Sequence, residues 1–457
     1  MKWFFKKYKQ NIIYILVIII FTIILQSWIL DSRNFFFLDD WDHLYKAQFI
    51  PYSQLWHLIP TQMYNDRPVG FIFVKFIYQI FGLNSFAFHS IFLGLHITNA
   101  ILVYFLFKKL TKNNTSAFLI ALLFANWPKS IMAAQWTAAV FDTLSSFLGL
   151  IYLNFSFSNN KYIKIMSLFI FFLALRTKES VIFLPLIPLI HNFIKTKKIT
   201  ISPELFLSLI YGLSLFYLSI ITYNQAYDSN NPYLPNYNPI NWIINLIKYL
   251  YIYFGITETT FAFSSFRPLG LISLLTSFFT LVFFSIIYFK KKHNYNLPLL
   301  FLSSFLITIL PIIPLINRQQ KLYLYLPSVF ISAFIVILFI NFFKPILIIL
   351  ELFTILLILN KFNRWQNMDT SFWLQYNQEN RIAFQNISNI PKCNNYLIYN
   401  IDSLNTNVFN YGPGFAIKIF FSNPKINIKL SKSVTPQTVS SDTCQINYNK
   451  GNLFYEI

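Results

Sequence analysis

Long apolar runs recur between residues 12 and 360, and short polar connections separate them. A helix needs about 20 apolar residues to cross the hydrocarbon core of a bilayer. The candidate spans are 12–30, 85–107, 116–133, 138–158, 163–175, 181–194, 204–223, 268–289, 297–316, 323–343 and 345–360. Because the chain is 56% hydrophobic and only 11% charged, an ordinary soluble domain is excluded. The pattern predicts an all-α polytopic membrane protein with about eleven transmembrane helices.

The connections between these runs alternate in charge. One set contains lysine and neither Asp nor Glu, and its members are Lys2, Lys6, Lys7, Lys9, Lys108, Lys109, Lys112, Lys161, Lys164, Lys195, Lys197, Lys198, Lys290, Lys291, Lys292 and Lys344. The other set contains nearly all the loop acids, Asp31, Asp66 and Glu179 among them. Because positive loops stay in the cytoplasm, we expect a cytoplasmic N-terminus, a retained first helix and external acidic connections. The net charge of +20 then reflects membrane orientation, and we predict no nucleic-acid partner.

Two apolar segments do not fit this alternation as spans. They are Val69–Phe81 and Asn241–Gly255, and we predict amphipathic helices at the outer interface for both. The runs 163–175 and 181–194 are short for spans, so their junction, Arg176–Ser180, is expected below the outer surface in a polar cavity. The alternative for this junction is a Lys178–Glu179 pair at a helix end.

The pattern changes after residue 360, which predicts a transmembrane domain over 1–360 and an external α+β domain over 361–457. Residues 361–390 show helical spacing. Short alternating runs then predict strands at Tyr396–Tyr399, Ala416–Phe421, Ile426–Leu430 and Leu453–Ile457. The only two cysteines, Cys393 and Cys444, lie in this domain and would form a disulfide if it is external, or else remain free thiols.

Two adjacent carboxylates, Asp39 and Asp40, directly follow the first apolar segment, with His43 close behind them. A carboxylate at the membrane boundary is poorly solvated, and a neighbouring carboxylate repels it, so one pKa rises and that group becomes a candidate general base. The alternatives are a divalent cation held by the pair and a solvated acidic loop. These two aspartates are the candidate catalytic residues.

Several cations are expected on the same side of the membrane as the acidic pair. Arg67, Lys178, Arg318 and Lys321 are candidates for binding an anionic group, because a guanidinium contacts a phosphate in a bidentate way. Each alone is more often an interfacial anchor.

Other polar residues lie inside the apolar runs or at their ends. His89, His96 and Asn99 share one helix face, so we expect hydrogen bonds to other helices in preference to catalysis. Asp142, Glu179 and Tyr325 are further candidates for lining a polar cavity.

Ordered motifs along residues 10–345 resemble the GT-C superfamily of integral membrane glycosyltransferases. Within it, the chain is similar to the bacterial family-39-like proteins and to the membrane half of the TMTC O-mannosyltransferases. The matching pieces are Leu38-Asp39-Asp40-Trp41, Arg67-Pro68-Val69, Phe81-Gly82, His89 with His96 and Asn99, Leu123 to Pro128, Gln135-Trp136 to Asp142, Arg176 to Ser180 with Pro185, and Tyr323 to Ser328.

The chain departs from the family pattern at three places. Trp127 stands where the family often has His, and Ala133 or Ala134 stands where it has an acid. Lys321-Leu322 replaces the usual Glu-Arg pair, so Arg318, one helical turn before Leu322, would take over contact with the donor phosphate.

The resemblance implies a multi-pass enzyme of the bacterial cytoplasmic membrane whose donor is a sugar on a polyprenyl phosphate in the outer leaflet. An aspartate of the 39/40 pair would activate the acceptor, which would be a glycan, a lipid or a protein, and transfer would invert the anomeric carbon. Membrane lipids are the other expected partners, and no cofactor is required unless a divalent cation binds Asp39 and Asp40. The alternatives are a transporter or flippase, and a polymerase or ligase of lipid-linked glycans.

Overall fold

The computed structural model describes residues 2–61, 66–129, 131–158, 160–225, 235–255, 266–290, 296–364, 372–400, 409, 414–431, 443–449 and 452–456. These residues form a mostly helical protein with a small sheet near the C-terminus. The helices are α1 (Lys2–Gln26), α2 (Asp40–Phe49), α3 (Tyr52–Leu55), α4 (Pro68–Phe81), α5 (Ser85–Thr111), α6 (Asn114–Asn126), α7 (Met132–Gln135), α8 (Val140–Ser156), α9 (Lys161–Leu175), α10 (Leu186–Thr196), α11 (Pro203–Gln225), α12 (Pro239–Phe254), α13 (Pro268–Lys290), α14 (Asn296–Ile309), α15 (Tyr325–Ile340), α16 (Pro345–Arg364), α17 (Phe372–Asn386) and α18 (Phe415–Phe420).

Within the described ranges, 7 helical segments are long and apolar enough to cross a membrane. They are Lys9–Leu30, Ser85–Thr111, Thr137–Ser156, Pro203–Ile221, Pro268–Lys290, Lys321–Ile340 and Pro345–Phe362. This agrees with the predicted polytopic membrane protein at the level of fold class. The predicted interfacial segments also form helices, α4 and α12.

Of the other four predicted spans, three form shorter helices than predicted, and the fourth, like its predicted run 163–175, is short for a span. Prolines explain the three differences, because a proline disfavours helical geometry in the residue before it. Helix α6 ends two residues before Pro128, α10 begins after Pro185, and α14 ends two residues before Pro311. The fourth, α9, has 15 residues and ends at Leu175, just before the charged junction.

Helices α5, α6, α8 and α15 form the centre of the bundle. Every residue of α6 from Ser116 to Asn126 is buried, as expected for a helix that is apolar on all sides. Helices α13 and α16 instead lie at the periphery and expose large apolar side chains such as Phe283 and Leu350. Such an extended apolar exterior is suited to contact with lipid.

Buried hydrogen bonds join the central helices. His96 lies 2.8 Å from the Tyr325 hydroxyl through Nδ1 and 2.8 Å from the Ala125 carbonyl through Nε2. Asn99 donates to the Thr143 carbonyl and to the same Tyr325 hydroxyl, both at 3.0 Å. The predicted interhelix role of His96 and Asn99 is therefore confirmed, and Tyr325 is their shared partner. His89, on the same helix, is buried beside the main chain of Asn34.

The C-terminal sheet has the strand order β2-β1-β3-β4. Its strands are β1 (Asn395–Tyr399), β2 (Asn427–Leu430), β3 (Thr443–Asn449) and β4 (Asn452–Glu456). β1 pairs in parallel with β2 and β3, and β3 forms an antiparallel pair with β4. A disulfide joins Cys393 to Cys444, with their Cα atoms 6.3 Å apart.

Two sequence predictions in this region were wrong. The predicted strand Ala416–Phe421 is the helix α18, since a short apolar run does not distinguish a strand from a buried helical turn. The sequence analysis also missed β3, because Thr443–Asn449 is mostly polar and only Cys444, Ile446 and Tyr448 are buried.

Replacing both Cys393 and Cys444 with serine should destabilise the C-terminal region. The bond spans 51 residues of sequence, and removing a cross-link of that size costs about 2–4 kcal/mol of stability. Limited proteolysis should then cleave the C-terminal region of the double variant faster than that of the oxidised wild type. The wild type under reducing conditions serves as the control and should behave like the variant. Equal cleavage rates in all samples would show that the disulfide does not stabilise this region.

Candidate functional site

The two aspartates lie in a tight turn that leads into α2. Leu38 has a φ of +48°, a left-handed backbone conformation that is unfavourable for leucine. The Asp40 carboxylate accepts the Phe37 backbone N–H through Oδ2 at 2.8 Å, and the Trp136 indole donates to the Phe37 carbonyl at 3.3 Å. These contacts hold the turn and position Asp39 at the start of the helix.

The two carboxylates have different surroundings. Asp40 is 1% exposed, and burial raises its pKa well above the ordinary value, with the Phe37 N–H opposing that shift. Asp39 is half-buried. Burial raises the pKa of Asp39 as well, while the positive charges of Arg318 and Arg67 partly offset that rise. Asp40 is thus fixed to the backbone of the turn, whereas Asp39 is the carboxylate that faces the cations.

The junction between α9 and α10 contributes one charge to each of two ion pairs. Lys178 Nζ lies 2.5 Å from Asp142 Oδ1. Arg67 contacts both carboxylate oxygens of Glu179, at 2.7 and 3.3 Å. The alternative Lys178–Glu179 pair is therefore wrong, because Lys178 binds Asp142 and Glu179 binds Arg67, and the polar cavity expected below the outer surface stays a prediction.

These pairs fix the charge states of their members. Burial disfavours charge on Glu179, but the Arg67 guanidinium outweighs it and lowers the pKa of the Glu179 carboxyl. Burial also opposes the charge on Arg67, and the Glu179 carboxylate outweighs it and raises the pKa of Arg67. For Lys178, burial lowers the pKa although the Asp142 carboxylate counteracts it. Arg67 and Glu179 therefore form a stable ion pair, while Lys178 depends on Asp142 for its charge.

Tyr323 links Lys178 to Arg318. The Lys178 ammonium lies 4.9 Å from the centre of the Tyr323 ring, in cation–π contact. Arg318 donates through Nε to the Tyr323 hydroxyl at 3.1 Å. Two of the four predicted phosphate-binding cations thus contact one tyrosine, and a third, Arg67, lies close enough to Lys178 for their charges to repel. The fourth, Lys321, is buried in a 3₁₀ turn over Lys321–Leu324.

A cavity of about 440 Å³ opens beside this cluster. Arg67, Lys178, Glu179 and Tyr323 lie along its wall. Most of the remaining wall is apolar, with contributions from Ile182, Phe183, Leu215, Trp242, Leu310 and Ile312. Such a cavity suits an amphiphile with an anionic group at the cations and an apolar chain along the rest.

His43 is buried between two aromatic rings, and Arg67 lies over one of them, Phe141. The His43 ring packs edge-on against Phe71 and Phe141, with centroid distances of 5.4 and 4.9 Å. Burial lowers the pKa of His43 to about 3, so the ring is neutral at pH 7. Among the residues that the structure describes, no three His, Cys, Asp or Glu side chains come together as a metal site, and a cation at Asp39 and Asp40 stays a prediction.

Two sets of contacts near this site were not predicted from the sequence. Arg176 is fully buried, pairs with Asp66 at 3.1 Å and donates to the His57 carbonyl at 3.0 Å, which joins the first acidic connection to the end of α9. Tyr323, the first residue of the predicted span 323–343, lies between the two cations Lys178 and Arg318. An arginine beside an apolar run is a sequence signal for the contacts of Arg176, whereas no local pattern in the sequence indicates the contacts of Tyr323.

The C-terminal region packs directly on the acidic turn and α2. Phe384 stacks on Trp41 with a centroid distance of 5.3 Å, and Phe415 stacks on Tyr45 at 4.2 Å. Arg381 also donates to the Ser32 carbonyl at 2.5 Å. Helices α17 and α18 therefore support the segment that carries Asp39.

Comparison of the chain with protein-family models gives no match, and comparison with curated proteins gives none either.

Replacing Asp142 with asparagine should destabilise the protein by about 3–5 kcal/mol, because it leaves the Lys178 ammonium buried without its counter-charge. The double variant Asp142→Leu/Lys178→Met should recover most of that loss, since it removes both charges and keeps a similar volume. The free energy of unfolding in mixed micelles measures both effects.

The matched control is Asp31→Asn, which breaks the more exposed pair with Arg33. A partly exposed pair contributes about 0–1 kcal/mol. The buried Lys178–Asp142 contact is not a stabilising pair if Asp142→Asn costs no more than this control.

Proposed function

We propose that the protein is an inverting glycosyltransferase that uses a polyprenyl-phosphate sugar as its donor. The proposal rests on one observation: Arg67 and Lys178 line a largely apolar cavity, and Arg67 and Arg318 lie close enough to Asp39 for their charges to act on its carboxylate. A base, several cations and an apolar cavity together match a donor that is half lipid and half sugar phosphate. The ordered GT-C-like motifs of the sequence support the same assignment.

In the proposed reaction, Asp39 acts as the general base. Its carboxylate takes the proton of an acceptor hydroxyl as the oxygen attacks the anomeric carbon of the sugar. The bond between that carbon and the phosphate oxygen breaks, and the phosphate leaves with the electron pair. The products are the glycosylated acceptor, with inverted anomeric configuration, and the polyprenyl phosphate. Asp39 suits this role because it is half-buried and is not tied to the backbone as Asp40 is.

The cations would stabilise the leaving phosphate. Negative charge develops on the phosphate as the bond breaks, and fixed positive groups in a poorly solvated site stabilise it most effectively. Arg67 and Lys178 are held in place by Glu179 and Asp142 before any donor binds. The apolar wall around Leu215 and Trp242 would take the first isoprenoid units.

The charge alternation of the sequence supports the proposed location of the site. The connections around Asp39 and Glu179 contain the acids, whereas the opposite connections contain lysine without acids. We therefore place the reaction on the outer face of the cytoplasmic membrane, where lipid-linked donors and external acceptors meet.

Replacing Asp39 with asparagine should lower kcat by about 10²–10⁴-fold, the usual contribution of a general base. Transfer of labelled sugar from a polyprenyl-phosphate donor in proteoliposomes measures the effect. The matched control is Asp42→Asn on the same helix, where Asp42 forms an ion pair with Lys46 at 2.7 Å, and it should retain most of the activity. Full activity in Asp39→Asn would eliminate this mechanism.

The same assay separates an enzyme from a transporter. An enzyme attaches the labelled sugar covalently to an acceptor, whereas a transporter or flippase only moves the labelled lipid across the bilayer. Transport without covalent product would contradict the proposal, and a product of many repeated sugar units would indicate a polymerase.

The pH profile tests the electrostatic effect of Arg318 on Asp39. A general base must be ionised, so activity falls as pH drops through the pKa of Asp39, which burial holds above its ordinary value. Because the charge of Arg318 lowers that pKa, Arg318→Gln should move the acidic limb of kcat/KM to higher pH. Arg33→Gln, at a site paired with Asp31, should leave the limb in place. An unchanged limb in Arg318→Gln would show that Asp39 is not the titrating base.

A further inference from the structure

A second cavity, of about 390 Å³, lies at the ends of α8 and α9 that are opposite to the charged cluster, and α10 lines one side of it. Its wall includes Tyr152 and Ser156 near the end of α8, Lys164 at the start of α9 and Glu204 at the start of α11. None of the residues assigned to sugar transfer contributes to it. This cavity is called the lysine-end cavity below, because the lysine-only connections lie at this end.

Glu204 is a buried carboxylate with few partners among the described residues to offset its loss of solvation. The residue is 6% exposed and accepts a hydrogen bond from Ser167 at 2.8 Å. None of the ion pairs found across the described residues includes it. A buried carboxylate needs a positive partner or several donors to offset its loss of solvation.

Two hydroxyl groups at the same cavity are also unsatisfied. Tyr152 is fully buried, and its hydroxyl, which lies close enough to Glu204 to feel its charge, has no hydrogen-bond partner among the described residues. The Ser202 hydroxyl is also buried, and it has no hydrogen-bond partner among the residues that the structure describes. A carboxylate beside two hydroxyls that lack hydrogen-bond partners suits a ligand group with a positive charge and several N–H donors. A primary ammonium is such a group.

The mouth of the cavity is surrounded by exposed apolar side chains. Ile165 is 66% exposed, Ile201 is 82% exposed and Phe206 is 64% exposed. Ile165 on α9 and Ile201 in the connection before α11 line the cavity, and Phe206 lies two residues after Glu204 on α11, so the opening faces the apolar surroundings of the bundle. Lys164 is an exposed cation on the same wall. An entering ligand therefore meets apolar surface and a cation before it reaches Glu204.

We propose that the lysine-end cavity binds the headgroup of a phospholipid with a primary amine, with its ammonium at Glu204 and its phosphate at Lys164. The headgroup ammonium donates to the Glu204 carboxylate and to the Tyr152 oxygen, and the acyl chains lie against Ile165 and Phe206. A quaternary ammonium headgroup has no N–H to donate, so the site discriminates phosphoethanolamine from phosphocholine. This binding site is independent of the proposed glycosyl transfer.

The test uses the purified full-length chain in nanodiscs that contain equal amounts of phosphatidylethanolamine and phosphatidylcholine. Native mass spectrometry should show phosphatidylethanolamine retained in preference to phosphatidylcholine. Glu204→Gln should reduce this preference about tenfold, because the charge-assisted contact is lost. Equal retention of the two lipids by the wild type would overturn the proposal.

Two further variants keep the test decisive. Tyr152→Phe removes one hydroxyl and preserves the packing, so it should weaken the preference in a folded protein. Glu351→Gln changes an exposed acid on α16 and should leave the preference unchanged. The proposal is wrong if Tyr152→Phe and Glu204→Gln both retain phosphatidylethanolamine as the wild type does, or if Glu351→Gln loses it equally.

Soluble phosphoethanolamine tests whether the cavity binds the whole lipid or only its free headgroup. The lipid should raise the melting temperature of the protein, whereas the soluble headgroup at equal concentration should not, because it lacks the acyl contacts. Stabilisation by the soluble compound alone would assign the cavity to a water-soluble amine and contradict the lipid proposal.

Discussion

Burying a charge within a helical bundle costs less free energy when the charge is paired, and the rest of the site depends on two such pairs. Lys178–Asp142 and Arg67–Glu179 join the short helices α9 and α10 to α8 and to the beginning of α4. Each member would be costly to bury alone. Together they keep two cations beside the cavity without any bound ligand, and Tyr323 brings Arg318 into the same group. A preformed cationic group of this kind reduces the reorganisation needed when an anion binds.

The adjacent aspartates illustrate how one backbone turn separates two chemically identical groups. Asp40 points into the protein and fixes the turn through the Phe37 N–H, whereas Asp39 remains within the field of Arg67 and Arg318. The left-handed backbone at Leu38 is part of the same arrangement. Packing of Phe384 on Trp41 extends this support to the C-terminal region, so the segment that carries Asp39 is held from both sides.

The sequence predicted the membrane-protein class and most of the helices, because hydropathy is a local signal. It did not predict which charges pair. Lys178 and Glu179 are neighbours in sequence, but at consecutive positions they project in different directions and bind Asp142 and Arg67. The lengths of α6, α10 and α14 were overestimated because apolar residues continue past the prolines that end or delay helical geometry. The role of Tyr323 depends on tertiary contacts, which no local pattern contains.

The central claim is that Arg67, Lys178 and Arg318 bind the phosphate of a polyprenyl lipid beside Asp39. A cryo-electron microscopy structure of the protein with a bound polyprenyl phosphate tests it most directly. The phosphate is predicted within hydrogen-bond distance of at least two of the three cations, with the isoprenoid chain against Leu215 and Trp242. A phosphate bound at the lysine end, or a lipid that leaves all three cations without contact, would contradict the claim.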